Sequence, residues 1–191
     1  YPRYRHMSDQ DVESLVAYMN TLKPVRNPLP RTRLAFPVSL LVKGEPRPAG
    51  SVPPPDRSNR VAYGRYLANL SGCIECHTPM VKGKPDASRL LAGGETFQFG
   101  PSLITVSANL TPDPATGIGA WSERRFLDTF YRHRQYIVRE PPKVGPERFT
   151  IMPWLGFARM EEEDLSAIYS YLKTVQPVFN RVVTQPLLAA R

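Results

Sequence analysis

Residues 73–77 read Cys73-Ile74-Glu75-Cys76-His77, and this stretch contains both cysteines of the 191-residue chain. The pattern Cys-x-x-Cys-His is the attachment signature of c-type haem. Two thiols on adjacent turns can form thioethers with the two vinyl groups of one porphyrin, and the histidine that follows can bind the iron as the proximal axial ligand. The motif therefore predicts one covalent haem c, attached through Cys73 and Cys76, with His77 on the iron.

Two other interpretations of the cysteine pair are weaker. A structural zinc site needs four ligands, and the remaining histidines, His6 and His133, do not lie at the spacing of a zinc finger. A thioredoxin-like Cys-x-x-Cys follows a β-strand, and the residues before Cys73 show no strand pattern. Haem attachment stays the preferred interpretation.

Proline is the unusual component of the composition. It accounts for 21 of 191 residues, about twice the average usage, which predicts long ordered loops and linkers. The best apolar run, residues 36–42, is far shorter than the roughly 20 residues of a transmembrane helix. The net charge of +8 favours acidic partner surfaces or an anionic membrane surface. The basic residues are scattered along the chain, which argues against a nucleic-acid partner.

Hydrophobic periodicity predicts four helices and almost no strand. The helices are expected over residues 8–23, 58–70, 121–135 and 161–174, with Ser8 and Ser122 as N-caps. Residues 24–60 are rich in proline and show no sustained periodicity, so we expect a linker or a strap lying on a surface. Residues 78–120 are predicted to be extended loop. Together these features predict an all-α protein with long loops.

The N-terminal helix repeats the last helix of the chain. At an offset of 153 residues, the matches are Met160 with Met7, Tyr171 with Tyr18, Thr174 with Thr21, Pro177 with Pro24, Val178 with Val25 and Asn180 with Asn27. The simplest account is that the natural protein holds at least two tandem haem domains. Because the repeat starts at the N-terminus, we expect the chain to begin inside the upstream domain. Its start at Tyr1, without an initiator Met or a signal peptide, predicts a mature or truncated piece. The predicted parts are the end of that domain (1–30), a Pro-rich linker (31–59), the haem domain (60–180) and a C-terminal tail (181–191).

A haem iron with one protein ligand leaves a second axial position. The candidates are Met80, Met152, Met160, His6 and His133. Met80 is too close to Cys76 in sequence to cross the ring, and Met160 occupies a packing position at the start of the last helix. Met152 lies on a loop before Pro153, whose fixed φ stiffens the backbone. We therefore predict Met152 as the distal ligand, with His133 or an open position as the alternatives.

These motifs resemble those of class I cytochrome c domains in multi-haem cytochrome subunits of bacterial membrane-bound dehydrogenases, of the alcohol, gluconate, aldehyde and molybdenum hydroxylase types. The resemblance covers about residues 60–180 and, through the repeat, residues 1–30. Besides the Cys-x-x-Cys-His motif, it is carried by residues 63–67 (Tyr-Gly-Arg-Tyr-Leu), 92–94 (Ala-Gly-Gly), 109–113 (Asn-Leu-Thr-Pro-Asp), 116–119 (Thr-Gly-Ile-Gly), 152–154 (Met-Pro-Trp) and 164–172. The chain departs from the family in having no upstream Cys-x-x-Cys-His motif.

The resemblance implies the class I cytochrome c fold, with helices and long loops around a covalent haem. Here that fold would be preceded by the terminal helix of an upstream cytochrome domain and a Pro-rich linker. The first helix of the domain would cross the last at Gly64, near Tyr171. The resemblance also implies that Asn109, Thr111 and Trp121 contact the propionate edge of the haem.

The resemblance further implies an electron carrier rather than an enzyme. His/Met ligation raises the reduction potential, and the sequence shows no paired carboxylates or nucleophile–base set. We expect electrons to come from a dehydrogenase subunit or an upstream haem domain, and to leave to quinone, another cytochrome or an oxidase. The expected location is the periplasm or the periplasmic face of the inner membrane. The alternative function is a haem protein with an open distal site, such as a peroxidase or a gas sensor.

Overall fold

The computed structural model describes residues 3–44, 46–140, 143 and 145–189. The predicted upstream segment and C-terminal tail therefore each extend two residues outside the described part. The chain divides into two compact units, Tyr1–Pro55 and Asp56–Arg191.

The first unit consists of one main helix and a proline-rich segment. Its elements are a 3-10 turn Tyr4–His6, the helix α1 Asp9–Asn20 and the one-turn helix α2 Val38–Leu41. Ser8 caps α1 as predicted, because its Oγ accepts a hydrogen bond from the amide of Asp11 at 3.1 Å. The proline-rich segment returns to the same point, where the amide of Asp9 donates to the carbonyl of Val52 at 2.9 Å. The predicted linker is thus partly tied to α1.

The second unit is mainly helical. Its helices are α3 Arg60–Leu70, α4 Cys73–His77, α5 Glu123–Tyr131, α6 Gln135–Val138, α7 Trp154–Phe157, α8 Glu162–Leu172 and α9 Pro186–Ala189, with 3-10 turns at Ala87–Arg89 and Pro146–Arg148. Ser122 caps α5 as predicted, accepting from the amide of Arg125 at 3.2 Å. Asn59 caps α3 in the same way, through the amide of Ala62. The three long helices predicted for this region are confirmed, each two to six residues shorter than expected.

Two short antiparallel ribbons lie in the region that was predicted to be loop. They pair β1 Met80–Val81 with β2 Lys84–Pro85, and β3 Thr96–Gln98 with β4 Ile104–Val106. Strands of two or three residues are too short to show an alternating pattern, so periodicity could not detect them. A mainly helical fold is confirmed, and the strictly all-α description is corrected by these ribbons.

Helices α3 and α8 cross at a glycine. A Cβ on Gly64 would overlap the carbonyl oxygen of Ala167 in α8, so this approach requires a residue without a side chain. Beside it, the Tyr63 hydroxyl donates to Oδ1 of Asp164 at 2.7 Å. The predicted crossing at Gly64 is confirmed, but its closest partner is the backbone of Ala167, about one helical turn before Tyr171. The missing side chain of Gly64 is what lets the two backbones meet there.

The hydrophobic core lies between α3, α5, α7 and α8. Its aromatic centre is formed by Phe126, Phe130 and Phe157; the ring centroid of Phe130 lies 5.1 Å from that of Phe126 and 5.3 Å from that of Phe157. Full burial of one such side chain contributes about 1.5–3 kcal/mol to the free energy of folding.

In the part of the chain that the structure describes, no helix is long and apolar enough to cross a membrane.

Candidate haem site

A cavity of about 460 Å³ lies beside α4 and is lined by segments between residues 71 and 185. Its wall includes Cys73, Cys76 and His77 from α4, and Met152 from the loop before α7. The structure therefore brings together all four residues predicted to attach or ligate a haem. Its volume falls in the usual range for a small-molecule or cofactor site. Most of the remaining wall is apolar and includes Leu110, Ile118, Phe126, Phe130, Trp154, Phe157, Leu165, Ile168 and Leu172.

The two cysteines are placed by a one-turn helix. Gly72 precedes α4 in a left-handed conformation with φ of +79°, which glycine adopts without steric cost. Residues three positions apart on a helix lie on the same face, so both thiols face the cavity that they line. This arrangement fits the attachment of one porphyrin through two thioethers.

His77 is held as a neutral imidazole. Its Nδ1 lies 2.8 Å from the carbonyl oxygen of Ala108. A carbonyl only accepts hydrogen bonds, so Nδ1 carries the proton and Nε2 keeps its lone pair. Burial lowers the pKa of the His77 imidazole below its ordinary value of 6.5, so the ring is neutral at pH 7. A neutral imidazole with its second nitrogen anchored to the backbone suits iron ligation.

Gly93 holds the backbone of His77 and packs against the carbonyl group of Ala108. The amide of Gly93 donates to the carbonyl oxygen of His77 at 2.7 Å. Gly93 has a φ of +70°, and a Cβ there would overlap the carbonyl of Ala108. The residue must therefore be glycine both for its backbone conformation and for its contact.

Met152 lies on a braced loop. Its amide donates to Oγ1 of Thr150 at 3.1 Å, and its carbonyl accepts from the amide of Trp154 at 2.8 Å. Pro153 then leads into α7. The Met152 side chain is partly buried, packs against the core and lines the cavity, and these two local bonds hold its backbone.

The other candidate ligands are absent from the described wall of this cavity. Met80 lies in β1 and is 44% exposed. His133 stacks on Trp154 with ring centroids 4.8 Å apart, and Met160 packs against the core at the start of α8. His6 belongs to the first unit. This placement favours Met152 over each of them.

Of the predicted haem-edge residues, Asn109 and Trp121 line the cavity and Thr111 lies behind the wall. Asn109 donates to the carbonyl of Val178 at 2.8 Å and to Oγ1 of Thr116 at 3.1 Å. Its Oδ1 accepts from the amide and the hydroxyl of the fully buried Thr111, at 2.9 and 2.8 Å. These bonds use both side chains to hold the loop together. A contact of Asn109, Thr111 or Trp121 with the haem edge stays a prediction.

Sequence reasoning missed the contribution of the C-terminal tail. Val182, Thr184 and Gln185 line the cavity, although residues 181–191 were predicted to be a mere tail. The repeat could not reveal these residues, because its matches end at Asn180, before the first of them.

The cytochrome c family model matches residues 61–176 of this chain. The matched segment is more than half of the chain and includes Cys73, Cys76, His77 and Met152. The chain belongs to the cytochrome c family. The predicted cytochrome c domain is thereby confirmed, and the domain type implies a covalently attached haem c.

Curated relatives agree with this assignment. The chain is similar to the "Alcohol dehydrogenase (quinone), cytochrome c subunit" of Gluconacetobacter polyoxogenes, at 30% identity over 189 residues, covering 93% of this chain and 39% of the relative. It is also similar to the "Fructose dehydrogenase cytochrome subunit" of Gluconobacter japonicus, at 33% over 185 residues, covering 92% and 36%. A third relative is the "Gluconate 2-dehydrogenase cytochrome c subunit" of Pantoea cypripedii, at 32% over 124 residues, covering 62% and 24%.

The chain spans less than two fifths of the length of these relatives. Their names all denote the cytochrome subunit of a dehydrogenase, which confirms the resemblance predicted from the sequence. They also support the predicted electron-transfer cytochrome and do not favour a haem protein with an open distal site.

Proposed function

We propose that this chain carries single electrons through one haem c, attached at Cys73 and Cys76 and ligated by His77 and Met152. The observation that carries the proposal is that these four residues line one largely apolar cavity. When bound, the haem supplies the one-electron redox chemistry, with a potential raised by the His/Met ligand pair. The chain itself supplies attachment, orientation and the exclusion of water.

The residues around the ligands limit movement between the two redox states. The bond from His77 Nδ1 to Ala108 fixes the imidazole plane, and the contacts of Met152 with Thr150 and Trp154 fix the backbone of its loop. The apolar wall keeps water away from the iron. Because ligands and surroundings are held in place, the gain or loss of one electron requires little rearrangement.

The donor in this proposal is a dehydrogenase subunit, because the relatives are named as cytochrome subunits of dehydrogenases. The chain acts as a non-catalytic relay, and electrons continue to quinone, another cytochrome or an oxidase. Its place is the periplasm or the periplasmic face of the inner membrane. The net charge of +8 favours acidic docking surfaces or anionic lipid at that location.

An upstream cytochrome domain completes the proposal. The apolar stripe of α1 is exposed, with Val12, Leu15 and Met19 between 43% and 58% accessible. The residues at the repeat offset of 153 are Leu165, Ile168 and Leu172, all fully buried in α8. The stripe therefore has the pattern of a terminal helix whose covering helix belongs to the upstream domain, so that residues 1–30 end one haem domain and residues 60–180 form the next.

The proposal is tested at Met152. A thioether on ferric haem gives a weak charge-transfer band at the red end of the visible spectrum. Met152→Ala should abolish this band, lower the reduction potential and let carbon monoxide bind the reduced protein. Met160→Ala is the matched control, because Met160 only packs against the core and its loss should leave the band intact. Survival of the band in Met152→Ala, or its loss in Met160→Ala or His133→Ala, would show that the ligand is misassigned.

A further inference from the structure

Residues 178–185, here called the C-terminal strap, lie beyond the end of the family match at residue 176. They nevertheless contribute Val182, Thr184 and Gln185 to the cavity wall. The strap runs from the loop that supports His77 to the loop that carries Met152. Its hydrogen bonds at each end show what it connects.

At its first end the strap is bonded to the loop beside His77. The amide of Val178 donates to Oγ1 of Thr111 at 3.1 Å, and its carbonyl accepts from Nδ2 of Asn109 at 2.8 Å. Nδ2 of Asn180 donates to the carbonyl of Ala92 at 2.9 Å. Ala92 precedes the glycine that holds the backbone of His77, so this end of the strap is fixed to the support of the proximal histidine.

At its other end the strap is bonded to two further parts of the wall. The carbonyl of Thr184 accepts from the amide of Val106 in β4 at 3.1 Å and from Oγ1 of Thr105 at 3.2 Å. Nε2 of Gln185 donates to the carbonyl of Phe149 at 3.0 Å. Phe149 belongs to the loop that leads to Met152, so Gln185 reaches this loop directly.

The hydrogen bond from Gln185 to Phe149 leaves the oxygen of the same side-chain amide unpaired in the described part of the chain. Its Oε1 is buried and has no hydrogen-bond partner among the described residues. Leaving a buried acceptor unpaired is unfavourable, and such groups in native structures call for an explanation. The amide cannot be reversed to relieve the cost, because the carbonyl of Phe149 needs a donor. The contact with the Met152 loop is what this orientation secures.

We propose that Gln185 is a positioning residue for Met152, and that the C-terminal strap ties the Met152 loop to the support of His77. This inference rests on the proposed function, because it takes Met152 as the distal ligand. Without the bond from Gln185 to Phe149, the loop more often adopts conformations in which the Met152 thioether has left the distal position. The net contribution of one hydrogen bond to stability corresponds to a change of about twofold to tenfold in the fraction of molecules with Met152 withdrawn.

Carbon monoxide measures this population directly. It binds the reduced protein only when Met152 has left the distal position, so its apparent affinity rises in proportion to the open fraction. The experiment is a carbon monoxide titration of haem-loaded protein carrying Gln185→Leu, which removes the donor and nearly keeps the side-chain volume. We expect the apparent affinity to rise by about twofold to tenfold, with the thioether band of the oxidised protein still present.

Gln135→Leu is the matched control. Gln135 also donates its Nε2 to a backbone carbonyl, that of Arg132 at 3.1 Å, but within the exposed turn between α5 and α6. This variant should bind carbon monoxide as the native protein does. If Gln185→Leu fails to load haem, Gln185→Asn takes its place, since it keeps the amide but shortens its reach by one methylene, and the same direction of change is expected.

The outcomes separate this inference from the proposed function. Equal carbon monoxide affinities in the Gln185 and Gln135 variants would overturn the positioning role and leave Met152 as the ligand. A lower thermal midpoint with an unchanged affinity would give Gln185 a purely structural role and would also overturn it. A thioether band that survives Met152→Ala would overturn the proposed function, and this inference with it.

Discussion

Gly64 in α3 lies directly against the peptide backbone of Ala167 in α8. The two helices are joined beside this point by the hydrogen bond between Tyr63 and Asp164. Helix α8 also supplies Leu165 and other residues of the cavity wall. The close approach at the glycine therefore sets the position of one wall of the haem site.

Replacement of Gly64 by Ala should destabilise the domain. Alanine favours a helix by about 1 kcal/mol over glycine, but its Cβ would overlap the backbone of Ala167. We expect a net loss of about 1–3 kcal/mol in the free energy of unfolding, measured by thermal or denaturant unfolding. Gly156→Ala is the control, since nothing lies within 4 Å of a Cβ at that site, and its stability should be unchanged or slightly raised. Equal midpoints for the two variants would contradict the crossing.

Replacement of Gly93 by Ala should disturb the proximal ligand. Its Cβ would displace the carbonyl of Ala108, which accepts the hydrogen bond from His77 Nδ1. Weakening that bond lowers the basicity of the imidazole, so the reduction potential should rise. Stability should fall by about 1–3 kcal/mol beyond the cost of the left-handed backbone.

The control for this change is Gly83→Ala. Gly83 has a φ of +74°, close to the +70° of Gly93, but nothing lies within 4 Å of a Cβ there. Both variants therefore carry the same backbone penalty, and only one carries the overlap. Potentiometric titration should show a shifted potential for Gly93→Ala and a native potential for Gly83→Ala. A native potential in both would mean that Ala108 does not tune His77.

Asn109→Ala should cost more than the loss of a single hydrogen bond. The amide of Asn109 links Thr111, Thr116 and Val178, and its removal leaves buried groups unpaired. We expect about 2–4 kcal/mol of destabilisation, measured by denaturant unfolding. Asn59→Ala serves as a comparison, because Asn59 makes one capping bond and its loss should cost about 1 kcal/mol. Similar losses in the two variants would show that the Asn109 network contributes little.

Covalent attachment can be checked on a denaturing gel. The native chain should give a band that stains for haem after electrophoresis, because thioethers survive unfolding. The double variant Cys73→Ala with Cys76→Ala should give none, while Met152→Ala should stain like the native chain. Release of the haem by acid–acetone extraction of the native protein would contradict attachment through the two cysteines.

Local patterns in the sequence were enough to find the four long helices and the attachment motif, but not the one-turn helices α2, α6, α7 and α9. Ser8 and Ser122 mark helix starts because capping involves only neighbouring residues. Gly64 could be predicted from its motif, but its partner could not. The choice of Ala167 over Tyr171 depends on how two distant helices rotate against each other.

The missed features share a physical cause. The ribbons β1–β2 and β3–β4 have strands of two or three residues, so their pairing is set by turns and by tertiary contacts rather than by periodicity. Gln185 binds a carbonyl 36 positions earlier in the chain, and its neighbours give no sign of that partner. Contacts of this range arise only when the whole domain has folded.

The pairing of α3 with α8 has a consequence for the assembly of this protein. Tyr63 and Asp164 are 101 positions apart, and contacts between such distant residues form late, because a large loop must close first. During synthesis the two thiols of α4 emerge long before α8 and the Met152 loop exist to cover them. We expect attachment to precede folding, so that a chain ending before Met152 still stains for haem. The domain would then fold around a haem that is already attached, and α8 would complete the wall of its cavity.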